Sequence, residues 1–119
     1  MQGLRIGPSS IAGRGVFATR AFASGEVIER CATLRVPQAQ FEILRQTVLF
    51  EYLYGFEDGS GDAAIALGHG SLYNHSHDAN ADYFKDAQND AIVITARRAI
   101  VEGKEITLEY RSPWLMRQR

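Results

Sequence analysis

Turn-forming residues interrupt the chain so often that only short extended segments fit between them, and this spacing constrains the fold more than any other feature. Ser9-Ser10, Ala12-Gly13-Arg14-Gly15 and Ser24-Gly25 separate β-like runs at Leu4 to Gly7, Val16 to Thr19 and Glu26 to Ala32, where branched and aromatic residues are brief and turn-bounded. Ala64 to Leu67, Asp82 to Lys85, Ala91 to Ala96 and Glu105 to Tyr110 read the same way, and Ala87-Gln88-Asn89-Asp90 predicts a hairpin turn. Between Gln38 and Tyr54 the period changes: Phe41, Leu44, Val48 and Tyr52 recur at three- and four-residue steps, which predicts a helix. Pro37 fits its start, while Gly55 and the acidic run from Glu57 to Asp62 fit its end in an exposed loop. With 119 residues the chain suits a single domain, 1–119, mainly β with one central helix.

Composition narrows the partners. At 45% hydrophobic and 23% charged, the chain can bury a real core. Its 13 Lys+Arg and 14 Asp+Glu nearly cancel, so no global basic field is available to grip phosphates and no direct nucleic-acid contact is expected. Cys31 is the single cysteine. An intramolecular disulfide, a cysteine zinc cage and an iron–sulfur cluster are thereby excluded, which suits a reducing, cytoplasmic setting. The N-terminal residues lack an apolar signal-like run and no segment approaches a membrane span, so no membrane association is expected.

Several chemical signals fail in context. Gly13-Arg14-Gly15-Val16-Phe17-Ala18 spells a dinucleotide-binding turn, but Ser24-Gly25 arrives before the helix such a turn requires. Asp78-Ala79-Asn80-Ala81-Asp82 opens like a calcium loop, yet Tyr83 stands where glycine is needed and Asn89 where glutamate is needed. His69, His75 and His77 come from one short Gly/Asn/Ser-rich stretch without a remote partner, and no metal is expected there. Cys31, inside the apolar run from Val27 to Ala32, reads as a small buried hydrophobe rather than a nucleophile.

What survives is an ordered set: Gly13-Arg14-Gly15-Val16-Phe17-Ala18, Phe22 with Gly25-Glu26 and Ile28, Tyr73-Asn74-His75-Ser76, and Gly103-Lys104-Glu105-Ile106-Thr107 with Tyr110. On these motifs, from about Ile6 to Trp114, the sequence resembles the SET domain family of protein lysine methyltransferases, and in length the small stand-alone SET proteins of viruses and bacteria. The resemblance implies a β-clip of short sheets with a C-terminal pseudoknot. It implies S-adenosyl-L-methionine as cofactor, held by Gly13, Arg14, Gly15, Asn74 and His75, with Trp114 either over the adenine or closing the channel. It implies Tyr110 and Tyr52 as catalytic residues, and a lysine channel walled by Tyr52, Tyr73 and Tyr110, with Tyr54 as a further candidate.

The partner so implied is a protein or peptide presenting a lysine, and similarity to a dimeric viral member raises a homodimer that completes the groove. A non-catalytic SET-fold module binding peptide or protein is the alternative. His77 and Ala79 occupy positions where the family commonly has cysteine and proline, so a looser turn is expected after Ser76.

Overall fold

In the computed structural model, which describes residues 3–110, the short runs become nine strands. They are β1 (Leu4–Pro8), β2 (Arg14–Ala18), β3 (Val27–Val36), β4 (Leu53–Gly55), β5 (Ala63–Ala66), β6 (Asn74–His75), β7 (Ala81–Asp86), β8 (Ala91–Ala96) and β9 (Glu105–Leu108). The ladder runs β1-β2-β9-β7-β8-β3-β5-β4, with β6 alongside β9. The strand latest in sequence therefore lies between early and middle ones. It pairs antiparallel with β2 and parallel with β6 and β7, which places the Tyr73-to-Ser76 segment against the one leading to Tyr110. Among the described residues no helix is long and apolar enough to cross a membrane.

Alternation explains the strands. In β8 the residues Ala91, Ile92, Ile94 and Ala96 are buried, and Ile92 and Ile94 meet Val16, Tyr83, Ile106 and Leu108 in the main core. The expected hairpin joins β7 to β8, its turn closed by Asp90 in the left-handed region at φ 48°, a conformation aspartate tolerates better than most residues. β3 pairs with β8 through its first half and with β5 through its second, and its ladder slips between Val27 and Glu29. At that bulge both Ile28 and Glu29 turn inward, as an extra residue in one strand permits.

The central helix is present but far shorter than its periodicity predicts. The segment breaks into a 3-10 turn at Gln38–Gln40, a single-turn helix α1 (Phe41–Leu44), a second 3-10 turn at Val48–Tyr52, and then β4. Thr47 is extended at φ −124°, ψ 161° and ends the helical path. Val48 is 63% exposed, so the periodic set does not share one face. Phe41, Leu44 and Phe50 instead cap a small cluster of Val36, Leu53 and Ala63, and β5 captures Leu53 and Tyr54 as a strand. A helix draws most of its stability from tertiary packing, and so small an apolar patch supports only one turn.

The turn after Ser76 is also firmer than expected. Ser76 Oγ accepts the Asp78 N–H at 3.1 Å, and Arg98 donates to the carbonyls of Asp78 and Ala79, both at 3.1 Å. Asn80, 4% exposed, then locks the turn to β9: its Nδ2 donates to the Glu105 carbonyl and its Oδ1 accepts the Thr107 N–H, each at 2.9 Å. Asn80→Ala strands the buried Thr107 N–H and the part-buried Glu105 carbonyl and is expected to cost about 1–3 kcal/mol, read as a lower urea midpoint at unchanged m-value; a midpoint within error of the parent would refute the lock.

Candidate active site

The first wall of the site is the loop between β1 and β2. Ser9 Oγ accepts the Ile11 N–H at 2.9 Å and donates to the Glu105 carboxylate at 2.8 Å. Gly13 takes φ +47°, a backbone state a side chain rarely adopts. At Gly15 a Cβ would run into the Glu105 carboxylate and sit 3.0 Å from Asn74 Nδ2, so only glycine lets this strand close on its neighbours.

β6 supplies the second wall through Asn74. Its Nδ2 lies 2.9 Å from Glu105 Oε2, 3.1 Å from both Ser9 Oγ and the Ala12 carbonyl, and 3.2 Å from the Arg14 carbonyl. Two amide hydrogens cannot fully serve four acceptors, and the shortest contact, to a carboxylate, is the strongest. One amide thus gathers the glycine loop around itself. The result is a cleft of about 300 Å³ lined by Ala12, Gly13, Arg14, Tyr52, Leu72 and Asn74, at the lower end of the range that holds small-molecule ligands. A second cleft, of about 510 Å³, includes Ser10, Ile11, Arg98, Lys104 and Glu105 in its lining, and Glu105 is hydrogen-bonded to Asn74 of the first.

Next to Asn74, His75 and Tyr110 are joined. The Tyr110 N–H donates to His75 Nδ1 at 2.9 Å, and their rings lie 5.2 Å apart. An accepting Nδ1 puts the proton of the neutral ring on Nε2, which is buried without a hydrogen-bond partner among the described residues. Burial first, and then the neighbouring His77, lowers the His75 pKa, against a smaller opposing pull from Glu109. The Tyr110 side chain turns inward, 4% exposed, and its hydroxyl donates to the carbonyl of Tyr73, the residue before Asn74.

Four expected residues, Gly13, Arg14, Tyr52 and Asn74, therefore share one cleft, with Gly15 packed beneath Asn74 and His75 next to it in β6. Tyr73 is displaced from the expected wall. It is wholly buried and its hydroxyl donates to Glu29 at 2.7 Å, so only its main chain reaches the site. Tyr54 is likewise buried, donating to the Gly70 carbonyl at 2.7 Å. Trp114 lies outside the described residues. Burial drives the Cys31 thiol up to about 12, in keeping with an inert core residue. Ser9, Glu29, Asn80 and Glu105 were missed as site residues. The signal for Glu29 and Glu105 was a carboxylate within an apolar strand run; Ser9 and Asn80 carried none beyond turn propensity.

Residues 13–111 match the SET domain family. The chain is 33% identical over 108 residues to a Schizosaccharomyces pombe histone-lysine N-methyltransferase specific for H3 lysine-37, covering 90% of this chain and 72% of that protein. It is 31% identical over 120 residues to a Cryptococcus neoformans histone-lysine N-methyltransferase specific for H3 lysine-4, covering 92% of this chain but 8% of that protein. Among solved structures, a Plasmodium falciparum protein assigned as a histone methyltransferase matches with a TM-score of 0.76 and 33% identity, covering 96% of this chain and 98% of that one.

The His75 geometry carries a pH dependence. Its folded pKa lies below the ordinary 6.5, so as pH falls through that value the unfolded chain takes a proton the folded chain refuses. Stability is then full above the unfolded value and declines below it, levelling off beneath the folded one. Melting from about pH 8 to about pH 5 is expected to show this decline, reduced in His75→Phe; an unchanged slope in the variant would count against the buried acceptor.

Proposed function

The chain belongs to the SET domain family, and from that membership we propose that it is an S-adenosyl-L-methionine-dependent protein-lysine N-methyltransferase acting on a lysine side-chain amine. The observation that carries the reading is the parallel pairing of β6 with β9, which sets the cleft residue Asn74 beside the segment bearing Tyr110. The fit to the cofactor rests on the cleft itself. Arg14 is exposed at its rim, suited to a carboxylate, and the glycine backbone leaves room for close approach. When bound, the cofactor supplies an electrophilic methyl on a sulfonium sulfur.

The residues of the chain do the rest. Tyr110 presents a hydroxyl held by a carbonyl rather than by a charge; in this reading it orients the amine and meets polarised methyl hydrogens through weak C–H···O contacts of ~0.5–1 kcal/mol each. Tyr52 and Leu72 supply the apolar side of the cleft. Such walls matter because a lysine of pKa ~10.4 is neutral in only about one molecule in 10³ at pH 7, and desolvation favours that neutral form.

The substrate is a flexible protein segment, with histone H3 the first probe because both similar enzymes are named for H3 lysines. A cytoplasmic setting and self-pairing belong to the same proposal. Light scattering after gel filtration decides the pairing, a monomer at assay concentration removing it.

Calorimetry with S-adenosylhomocysteine is expected to show saturable binding that Asn74→Ala weakens, because the amide that gathers the loop is lost. Tyr110→Phe is expected to slow methyl transfer about 10–100-fold with cofactor affinity retained. Parent-like turnover in that variant would overturn the role of Tyr110, and absent binding by the parent chain would move the reading to a non-catalytic peptide-binding module.

A further inference from the structure

Nothing in the chemistry above uses Glu29, although its carboxylate is 2% exposed. Burying such a group is costly unless donors surround it, and here they do. Tyr73 donates its hydroxyl at 2.7 Å to one oxygen, and the His69 N–H donates to the other at 2.9 Å. The bulge in β3 turns Glu29 into the core. Gly68 adopts φ +66°, and a Cβ there would collide with the Glu29 carboxylate. Strand and loop are thus both shaped around this one side chain.

The loop it holds leads straight into the site. Residues 68–73 precede Asn74, and the Tyr73 carbonyl accepts the Tyr110 hydroxyl. We propose that Glu29 is a positioning residue for this active site: it anchors Tyr73 by the side chain so that the Tyr73 carbonyl holds the Tyr110 hydroxyl at the place of reaction. The catalytic half of this statement rests on the methyltransferase reading; the positional half does not. Burial and the adjacent carboxylate push the Tyr73 phenol far above its ordinary range, so it stays a donor at any working pH. Cys31 beside it remains a thiol, its pKa raised to about 12.

The test uses the full chain with ¹³Cζ-labelled tyrosine, the Tyr110 resonance being assigned from Tyr110→Phe. Tyr73→Phe deletes the hydroxyl that makes the anchor, and is expected to move and broaden the Tyr110 signal. Glu29→Gln keeps an oxygen for Tyr73 but turns an NH₂ toward the His69 N–H, and is expected to give a smaller displacement. A merely structural bond would lower the melting temperature and leave the Tyr110 signal in place. In turnover with histone H3, Tyr73→Phe is expected to lower kcat about tenfold or more with S-adenosylhomocysteine affinity unchanged, since small misplacements of reacting groups carry such penalties.

A folded Tyr73→Phe with an unmoved Tyr110 resonance overturns the proposal. If Glu29→Gln fails to fold, Tyr73→Phe decides alone. A moved resonance in a chain that methylates nothing would uphold the anchor while the methyltransferase reading falls.

Discussion

The contact between the Asn74 amide and the Glu105 carboxylate holds the functional end of this molecule together. Its partners come from β6 and β9, and the same amide reaches the carbonyls of Ala12 and Arg14 in the first loop. Segments from the beginning, middle and end of the described chain therefore meet at one hydrogen-bonded point. Such long-range closure is entropically costly, and apolar packing alone does not specify which backbone groups come together. A buried polar network does, provided its members are satisfied. The Ser9 hydroxyl helps by donating to Glu105 while accepting the Ile11 N–H.

Buried polarity is concentrated where the site is built. Among the described residues, Glu29, Asn74, Asn80 and Thr107 are the buried polar and charged ones. Asn80 and Thr107 tie the turn after β6 to β9; Asn74 closes the glycine loop; Glu29 fixes the approach to Asn74. The far end, around Val36, Leu53 and Ala63, is an apolar cluster capped by half-buried Phe41, Leu44 and Phe50. One end of the fold is specified by directional bonds, the other by contact area.

That division also explains what the sequence made legible. Strands such as β8 announce themselves as brief runs rich in branched residues between turns, and the ordered motifs single out Gly13, Arg14, Asn74, His75 and Tyr110. The region from Gln38 to Tyr54 misled because helical spacing records where apolar residues fall, not whether a surface exists to receive them. Only a patch the size of Val36, Leu53 and Ala63 awaited it. Asn80 and Arg98 were invisible because their partners lie in strands and turns whose adjacency arises from the insertion of β9 between β2 and β7. The family resemblance points Tyr73 to a channel wall, whereas the bulge at Glu29, which draws its hydroxyl inward, is a property of register.

The placement of charge bears on how such a site handles a lysine. An ammonium stays protonated when a carboxylate lies against it and loses its proton more readily among neutral groups. Tyr110 contacts the imidazole of His75 and the carbonyl of Tyr73, neither of them a carboxylate. The carboxylates stand one layer back and are already engaged: Glu105 by Ser9 and Asn74, Glu29 by Tyr73 and His69, and Glu109 by Arg97. Glu105 and Glu29 thereby shape the backbone behind the site. Neutral groups surround Tyr110, and the anions behind them are held by hydrogen bonds from hydroxyl, amide and main-chain donors; in the methyltransferase reading such surroundings favour the uncharged lysine the reaction requires.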